Sequence, residues 1–181
     1  IAARAYNELS GLRGRIRRVV LLGPAHRLPV DGLATLPAEA MRTPLGLVPV
    51  DHAVEPLLRG LPQVTSNELA HAPEHSLEVQ LPFLQIVLGD FSVVPIVVGD
   101  ASDAEVAQVI DHLWGGPETL FVISSDLSHY LDDASARRMD AATCAAIERL
   151  DGQALDYDSA CGRVPLRGLL RVARQRGLEN E

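Results

Sequence analysis

Thr119-Leu-Phe-Val-Ile-Ser-Ser-Asp-Leu-Ser-His-Tyr130 changes character halfway along its length. Leu120 to Ile123 is an unbroken apolar run with a β-branched Val and Ile and a Phe. A short run of that kind reads as a strand buried on both faces, as in a parallel sheet. Polarity then arrives abruptly with Ser124, Ser125, Asp126, Ser128 and His129. Open α/β sheets bind ligands just beyond the carboxyl ends of their strands, so Asp126 and His129 stand where such a fold puts chemistry. A plainer reading stands beside this one. Asp126 or Ser128 can cap the helix that follows, with His129 an ordinary loop histidine.

The same pattern occurs near the start of the chain. Val19-Val-Leu-Leu22 is a buried-strand pattern that runs into Gly23-Pro24-Ala25-His26. Gly permits a tight turn and Pro fixes φ, so a sharp strand exit carrying His26 is expected. Short strands or a meander are expected around Leu33–Leu36 and Gly46–Val50, among several prolines. Asp51 is expected to cap a helix through Leu58. Leu77, Leu81, Leu84 and Leu88 have the spacing of a core-packed helix, with Pro82 in its second turn as a kink. Glu74, His75 and Glu78 gather at its start, where negative side chains are stabilising in any case, and Glu74 and Glu78 are expected to look the same way. Val93–Val98 reads as a strand whose Pro95 marks an edge or a bulge. Ser102 and Glu105 have capping-box spacing for a helix through Trp114. Asp133 or Ser135 is expected to cap a long helix through Leu150. Leu155–Ala160 reads as a short helix, and Pro165 as the first position of a closing helix through Arg176. Cys161 at that helix entry is where a thiolate is favoured, although a lone Cys is also a small packing residue. Strands alternating with helices predict an α/β fold with a mixed, largely parallel sheet covered on both faces, and residues 1–181 read as one domain.

Composition narrows the function classes. The 181 residues are 47% apolar and 22% charged, with a formal net charge of −8. All 16 basic residues are Arg, and between Arg59 and Arg137 there is none, while 12 of the 24 acids lie there. Such an acidic chain argues against nucleic acid as a partner. No apolar run approaches the roughly 20 residues that span a bilayer. Ile1 begins without the basic and apolar regions of a signal peptide, so a cytoplasmic location with reduced Cys144 and Cys161 is the expectation. G-x-G-x-x-G, Walker A, H-E-x-x-H and G-x-S-x-G patterns are absent from the sequence. A Ser/His/Asp triad from Ser124 or Ser125, His26 or His129, and Asp126 lacks a nucleophile elbow. What remains is His26, His129, Asp126 and Cys161, with His75 and Glu78 as outer candidates. Imidazole, carboxylate and thiolate together favour iron, copper or zinc over magnesium or calcium.

Taken in order, Gly-Pro-Ala-His26, Arg42-Thr-Pro-Leu45, Glu74-His-Ser-Leu-Glu78 with Leu81-Pro82, Pro95-Ile-Val-Val-Gly99, Ser124-Ser-Asp-Leu-Ser-His129 and Cys161-Gly162 resemble the Memo family, also called AmmeMemoRadiSam system protein B. The family is similar in fold to class III extradiol ring-cleaving dioxygenases, which implies a three-layer αβα sandwich with a metal site at one end of the sheet. The resemblance implies His26 and Cys161 as metal ligands, iron or copper as the metal, Asp126 and His129 as catalytic groups beside it, and His75 and Glu78 as cleft-lining residues. The family's first ligand His lies in a Pro-His-Ala-Gly-Tyr motif expected just before residue 1, and its last strands are expected after Glu181. The chain is therefore expected to be a truncated member that lacks one of three ligands, with a sheet edge that favours association into oligomers.

Two functions follow from the resemblance. One is a metal-dependent redox enzyme with His129 as acid/base. The other is a non-catalytic binding or scaffold protein that takes a peptide or protein partner in the same cleft. The family association implies radical-SAM or AMMECR1-type partners, and fold does not choose between the two functions.

Overall fold

A computed structural model of the chain describes residues 2–179; Ile1, Asn180 and Glu181 lie outside the described residues. The chain opens with α1 (Ala2–Asn7), a 3-10 turn at Glu8–Leu12 and β1 (Arg18–Pro24). Next come β2 (Leu33–Thr35), a hairpin of β3 (Ala40–Thr43) and β4 (Gly46–Pro49), and α2 (Glu55–Leu58). β5 (Val64–Ser66), α3 (Glu68–His71), α4 (Leu81–Leu88), β6 (Ser92–Val98) and α5 (Asp103–Leu113) follow. The described chain is completed by β7 (Thr119–Ile123), α6 (Asp133–Glu148) and α7 (Arg163–Gln175).

The central sheet has the order β5-β2-β6-β1-β7. β1 pairs in parallel with both β6 and β7, β2 pairs in parallel with β5, and only the β2–β6 pair is antiparallel. Because side chains alternate across a strand, β1 feeds two cores. Val19 and Leu21 join Tyr6, Leu81, Leu84 and Leu88 on one face. Val20 and Leu22 join Val106, Val109, Ile110 and Val172 on the other. Helices thus cover both faces, and the expected three-layer αβα arrangement with a mixed, mostly parallel sheet is observed. Leu81, Leu84 and Leu88 are fully buried, which contributes roughly 1.5–3 kcal/mol per side chain. Two predicted caps are formed: the Asp51 carboxylate accepts from Ala53 N, and Ser102 and Glu105 make a reciprocal capping box.

Several expectations need correction. β7 is an edge among the described strands, and its five residues are half-buried rather than buried. An apolar run reports strand type but not the number of neighbours. β6 is an interior strand, so Pro95 marks no sheet edge. Pro95 is opposite Leu21 of β1, and β2 ends at Thr35, opposite Ile96. Its missing N–H therefore faces the flank that β2 has already left, where no ladder bond is lost. The leucine-rich helix begins at Leu81, so Pro82 lies in its first turn, where proline is tolerated, and makes no kink. Gly23 is still in β1; a Cβ there would lie 2.8 Å from Leu77 Cδ2, so its role is close packing rather than turning. The segment 155–160 is a turn, with Asp156 Oδ1 accepting from Asp158 N and Ser159 N. α7 begins at Arg163, which makes Pro165 its third residue rather than its first.

Candidate active-site cleft

β1, β6 and β7 are mutually parallel around β1, so their carboxyl ends open on the same side of the sheet. His26 follows the end of β1, and Ser124 to His129 follow β7. Cys161 enters from the turn before α7. His26, His129 and Cys161 line one cleft of about 750 Å³ together with Tyr157 and Arg163. An adjoining cleft of about 480 Å³ shares His26, Cys161, Tyr157 and Arg163 and extends towards Arg27 and Asp100.

Glu74 organises the His26 side. Its carboxylate is buried beneath the loop and accepts from His26 N at 2.5 Å, His75 N at 2.8 Å and Ser76 N at 2.9 Å. The His26 Nδ1 edge lies 3.3 Å from Glu74 Oε1. Three of these contacts fall on Oε1 and one on Oε2. Burial opposes ionisation of Glu74, but the backbone N–H groups of His26, Ser76 and His75 and the His26 ring outweigh it and hold the carboxyl down at about 2. Since a carboxylate only accepts, a hydrogen bond here needs the proton on Nδ1, the tautomer that in a neutral imidazole leaves the lone pair on Nε2.

The Cys161 side is knit into the β7 exit. Asp126 N–H donates to Cys161 Sγ at 3.1 Å, and Cys161 N–H donates to Asp126 O at 3.2 Å. Gly162 N–H donates to Ser125 Oγ at 3.0 Å. A Cβ on Gly162 would stand 2.6 Å from Ser124 O and 2.7 Å from Ser125 Cβ, so only glycine lets the two loops approach this closely.

The sequence candidates are distributed as follows. His26, Cys161 and His129 share the cleft. His129 Nε2 lies 3.7 Å from Asp126 Oδ2, with the two side chains 46% and 85% exposed. His75 stacks on His26 with ring centroids 5.6 Å apart, and neither it nor Asp126 lines either cleft lobe. Glu78 is exposed on a 3-10 turn and lines neither cleft, while Glu74 is buried, so the two carboxylates do not look the same way. Glu74 to Leu77 form a loop and turn before the 3-10 helix that starts at Glu78, so no helical phase relates the two carboxylates. Neither Asp126 nor Ser128 caps α6; Asp132 does, accepting from Ser135 N. Ser128 N instead donates to Asp140 Oδ1, and its hydroxyl is buried without a partner.

Three contributors escaped the sequence reading. Glu74 looked like a helix-start acid, and its donors, His26 N, His75 N and Ser76 N, come from two loops that only the fold brings together. Tyr130 lines the cleft fully exposed at φ 58°, a strained left-handed conformation for a bulky residue. Arg163 lies over the Tyr157 ring at 4.7 Å. Neither of the last two carried a sequence pattern. Among the described residues, one group of three metal-ligating side chains has its donor atoms mutually within 4.8 Å: His26, Glu74 and His75. No helix there is long and apolar enough to cross a membrane.

Fold and cleft together define the class: an αβα sandwich with imidazoles and a thiol at the carboxyl edge of its sheet. Sequence comparison narrows it. The family model described as "Memo-like protein" matches residues 1–180, and the chain belongs to that family. It is 37% identical over 160 residues to a "MEMO1 family protein" of Thermotoga neapolitana, a match covering 86% of this chain and 57% of that protein. It is 30% identical over 206 residues to the "Protein memo-1 homolog" of Caenorhabditis elegans, covering 99% of this chain and 58% of that one. The chain thus spans under two thirds of these relatives. The crystal structure of the uncharacterized protein JW3007 from Escherichia coli K12 superposes with a TM-score of 0.64 over 94% of this chain and 81% of the other; at 15% identity, the likeness is one of fold.

Proposed function

We propose that this chain carries the metal-binding cleft of a dioxygenase-type redox protein, in which His26 and Cys161 hold iron or copper and His129 moves a proton. The observation that supports it most is the Glu74 anchor. A buried carboxylate that fixes the Nδ1 edge of a cleft imidazole is the arrangement that presents Nε2 to a metal. The donor set fits a first-row transition metal, since an imidazole nitrogen and a sulfur suit iron, copper or zinc rather than magnesium or calcium. Bound there, iron or copper would supply Lewis acidity and electron transfer. His129, open to the cleft with Asp126 Oδ2 3.7 Å away, takes or gives a proton at Nε2. Met139 and Leu131 add apolar surface to the same space.

A second reading rests on the cluster of His26, Glu74 and His75, whose donor atoms lie within 4.8 Å of one another. Against it, Glu74 Oε1, the oxygen nearest both imidazoles, is already crowded by three donors. Equilibrium titration with iron(II) and copper(I) separates the two. His26→Ala weakens binding in both. Cys161→Ser weakens it by at least about tenfold only in the first, and His75→Ala only in the second. Equal binding by the parent and all three variants would sink both by placing the metal elsewhere, and no binding by the parent would sink both and favour a metal-free binding protein.

A further inference from the structure

We propose that the cleft selects an anionic small molecule, with Arg163 as the group that takes its carboxylate or phosphate oxygens. The inference rests on the reading of this cleft as a substrate site and adds the chemical class of what enters it.

Arg163 is the first residue of α7 and lines both lobes of the cleft beside His26 and Cys161. The other arginines nearby spend their donors on protein oxygens. Arg167 donates to the carbonyls of Gly152 and Leu155, Arg171 to Asp103 and Arg176 to Asp111. Arg163 has no side-chain hydrogen bond and no ion pair among the described residues. Asp158 and Asp100 line the lobes as well, yet neither pairs with it. What Arg163 has is the face of Tyr157, 4.7 Å from its guanidinium carbon. Stacking fixes the plane of the guanidinium through its π face and leaves its edge, with the N–H fork, unspent. A planar fork of that kind matches the paired oxygens of a carboxylate or phosphate. Arg27, exposed at the outer lobe, adds positive potential there without a partner of its own among the described residues.

The test is calorimetric titration of the full chain with benzoate, phenyl phosphate and benzamide, the last being the uncharged isostere of the first. Benzoate or phenyl phosphate is expected to bind about tenfold more tightly than benzamide, and whichever binds better identifies the oxyanion. Arg163→Gln abolishes the preference and Arg163→Lys keeps part of it. Arg174→Gln, an exposed arginine of the same helix outside both lobes, leaves it unchanged, which separates a local contact from net charge. Thermal melts establish that each variant is folded. Equal binding of benzoate and benzamide, binding of none of the three, or an intact preference in folded Arg163→Gln would overturn the proposal. Anion preference in a chain that binds no metal would uphold it while refuting the metal reading.

Discussion

At the end of β1 four donors converge on one buried carboxylate, and the loop that carries His26 is tied to the Glu74–Ser76 turn across the sequence. Gly23 brings Leu77 and Ser76 against the strand, and Ser76 Oγ donates to Pro24 O at 3.0 Å. The end of β7 is built differently. Its strand is an edge, its residues are half-buried, and Asp126 and His129 meet at 3.7 Å in solvent. One wall of the cleft is therefore preorganised before any ligand arrives, and the other is held mainly by backbone contacts with Cys161 and Gly162. A group that must keep a fixed orientation belongs on the first wall. A group that must exchange protons with water and substrate belongs on the second.

The largest expected effect comes from breaking the first wall. Glu74→Ala leaves the backbone N–H groups of His26, His75 and Ser76 without an acceptor in a buried place, at a cost of about 3 kcal/mol or more. Chemical denaturation measures it, and a loss below about 1 kcal/mol would mean that the wall is not preorganised. The same carboxylate gives a pH signature. Its folded pKa, about 2, lies below the ordinary value of 4.5, so its stabilisation is complete above pH 4.5 and is lost as pH falls towards 2. The integrated loss is on the order of 3 kcal/mol. Glu74→Gln should flatten the stability curve across that window, and an unchanged slope would contradict the assignment.

Next comes the seam between the walls. Gly162→Ala forces a methyl against Ser124 O, and overpacking of this kind costs roughly 1–3 kcal/mol. The variant should also expose Cys161, which a thiol-reactive chromophore would report as faster labelling. Unchanged labelling would show that Asp126 N–H, rather than close approach, protects the sulfur.

How much of this was legible in the sequence follows from the same contrast. The abrupt change from apolar strand to polar exit placed His26, Asp126 and His129 at the carboxyl edge, because strand direction alone fixes that. The two-faced core was legible in the unbroken apolar run from Val19 to Leu22. What sets burial at one position was not legible, since it depends on which strands become neighbours. So β7 read as buried when it is an edge, and Pro95 read as an edge marker in an interior strand. Glu78 lies outside both lobes because the helix starts only after Glu74 to Leu77, a loop and turn that the apolar spacing did not reveal. Arg163 and Tyr157 meet only through tertiary folding of an irregular turn.

Tyr130 gives a smaller effect of opposite sign. Its φ of 58° is strained for a bulky side chain that is fully exposed, so nothing in packing compensates. Tyr130→Gly should therefore raise stability by about 0.5–1 kcal/mol, offset in part by the freer unfolded chain. If the melt falls instead, the ring makes a contact in solution that holds the second wall.

The smallest effect is the most discriminating. His129→Ala removes a side chain that is 46% exposed and whose nearest charged partner is itself 85% exposed. Surface substitutions of that kind change stability by no more than about 0.5 kcal/mol. His26→Ala, by contrast, strips the ring from a carboxylate that stays buried, so its cost should exceed that of His129→Ala under identical conditions. Equal costs would mean that the two imidazoles are equivalent parts of one site, each as structural as the other. Unequal costs, with hydrogen exchange slow at His26 and fast at His129 and Tyr130, would separate a fixed ligand from a mobile proton carrier before any substrate is known.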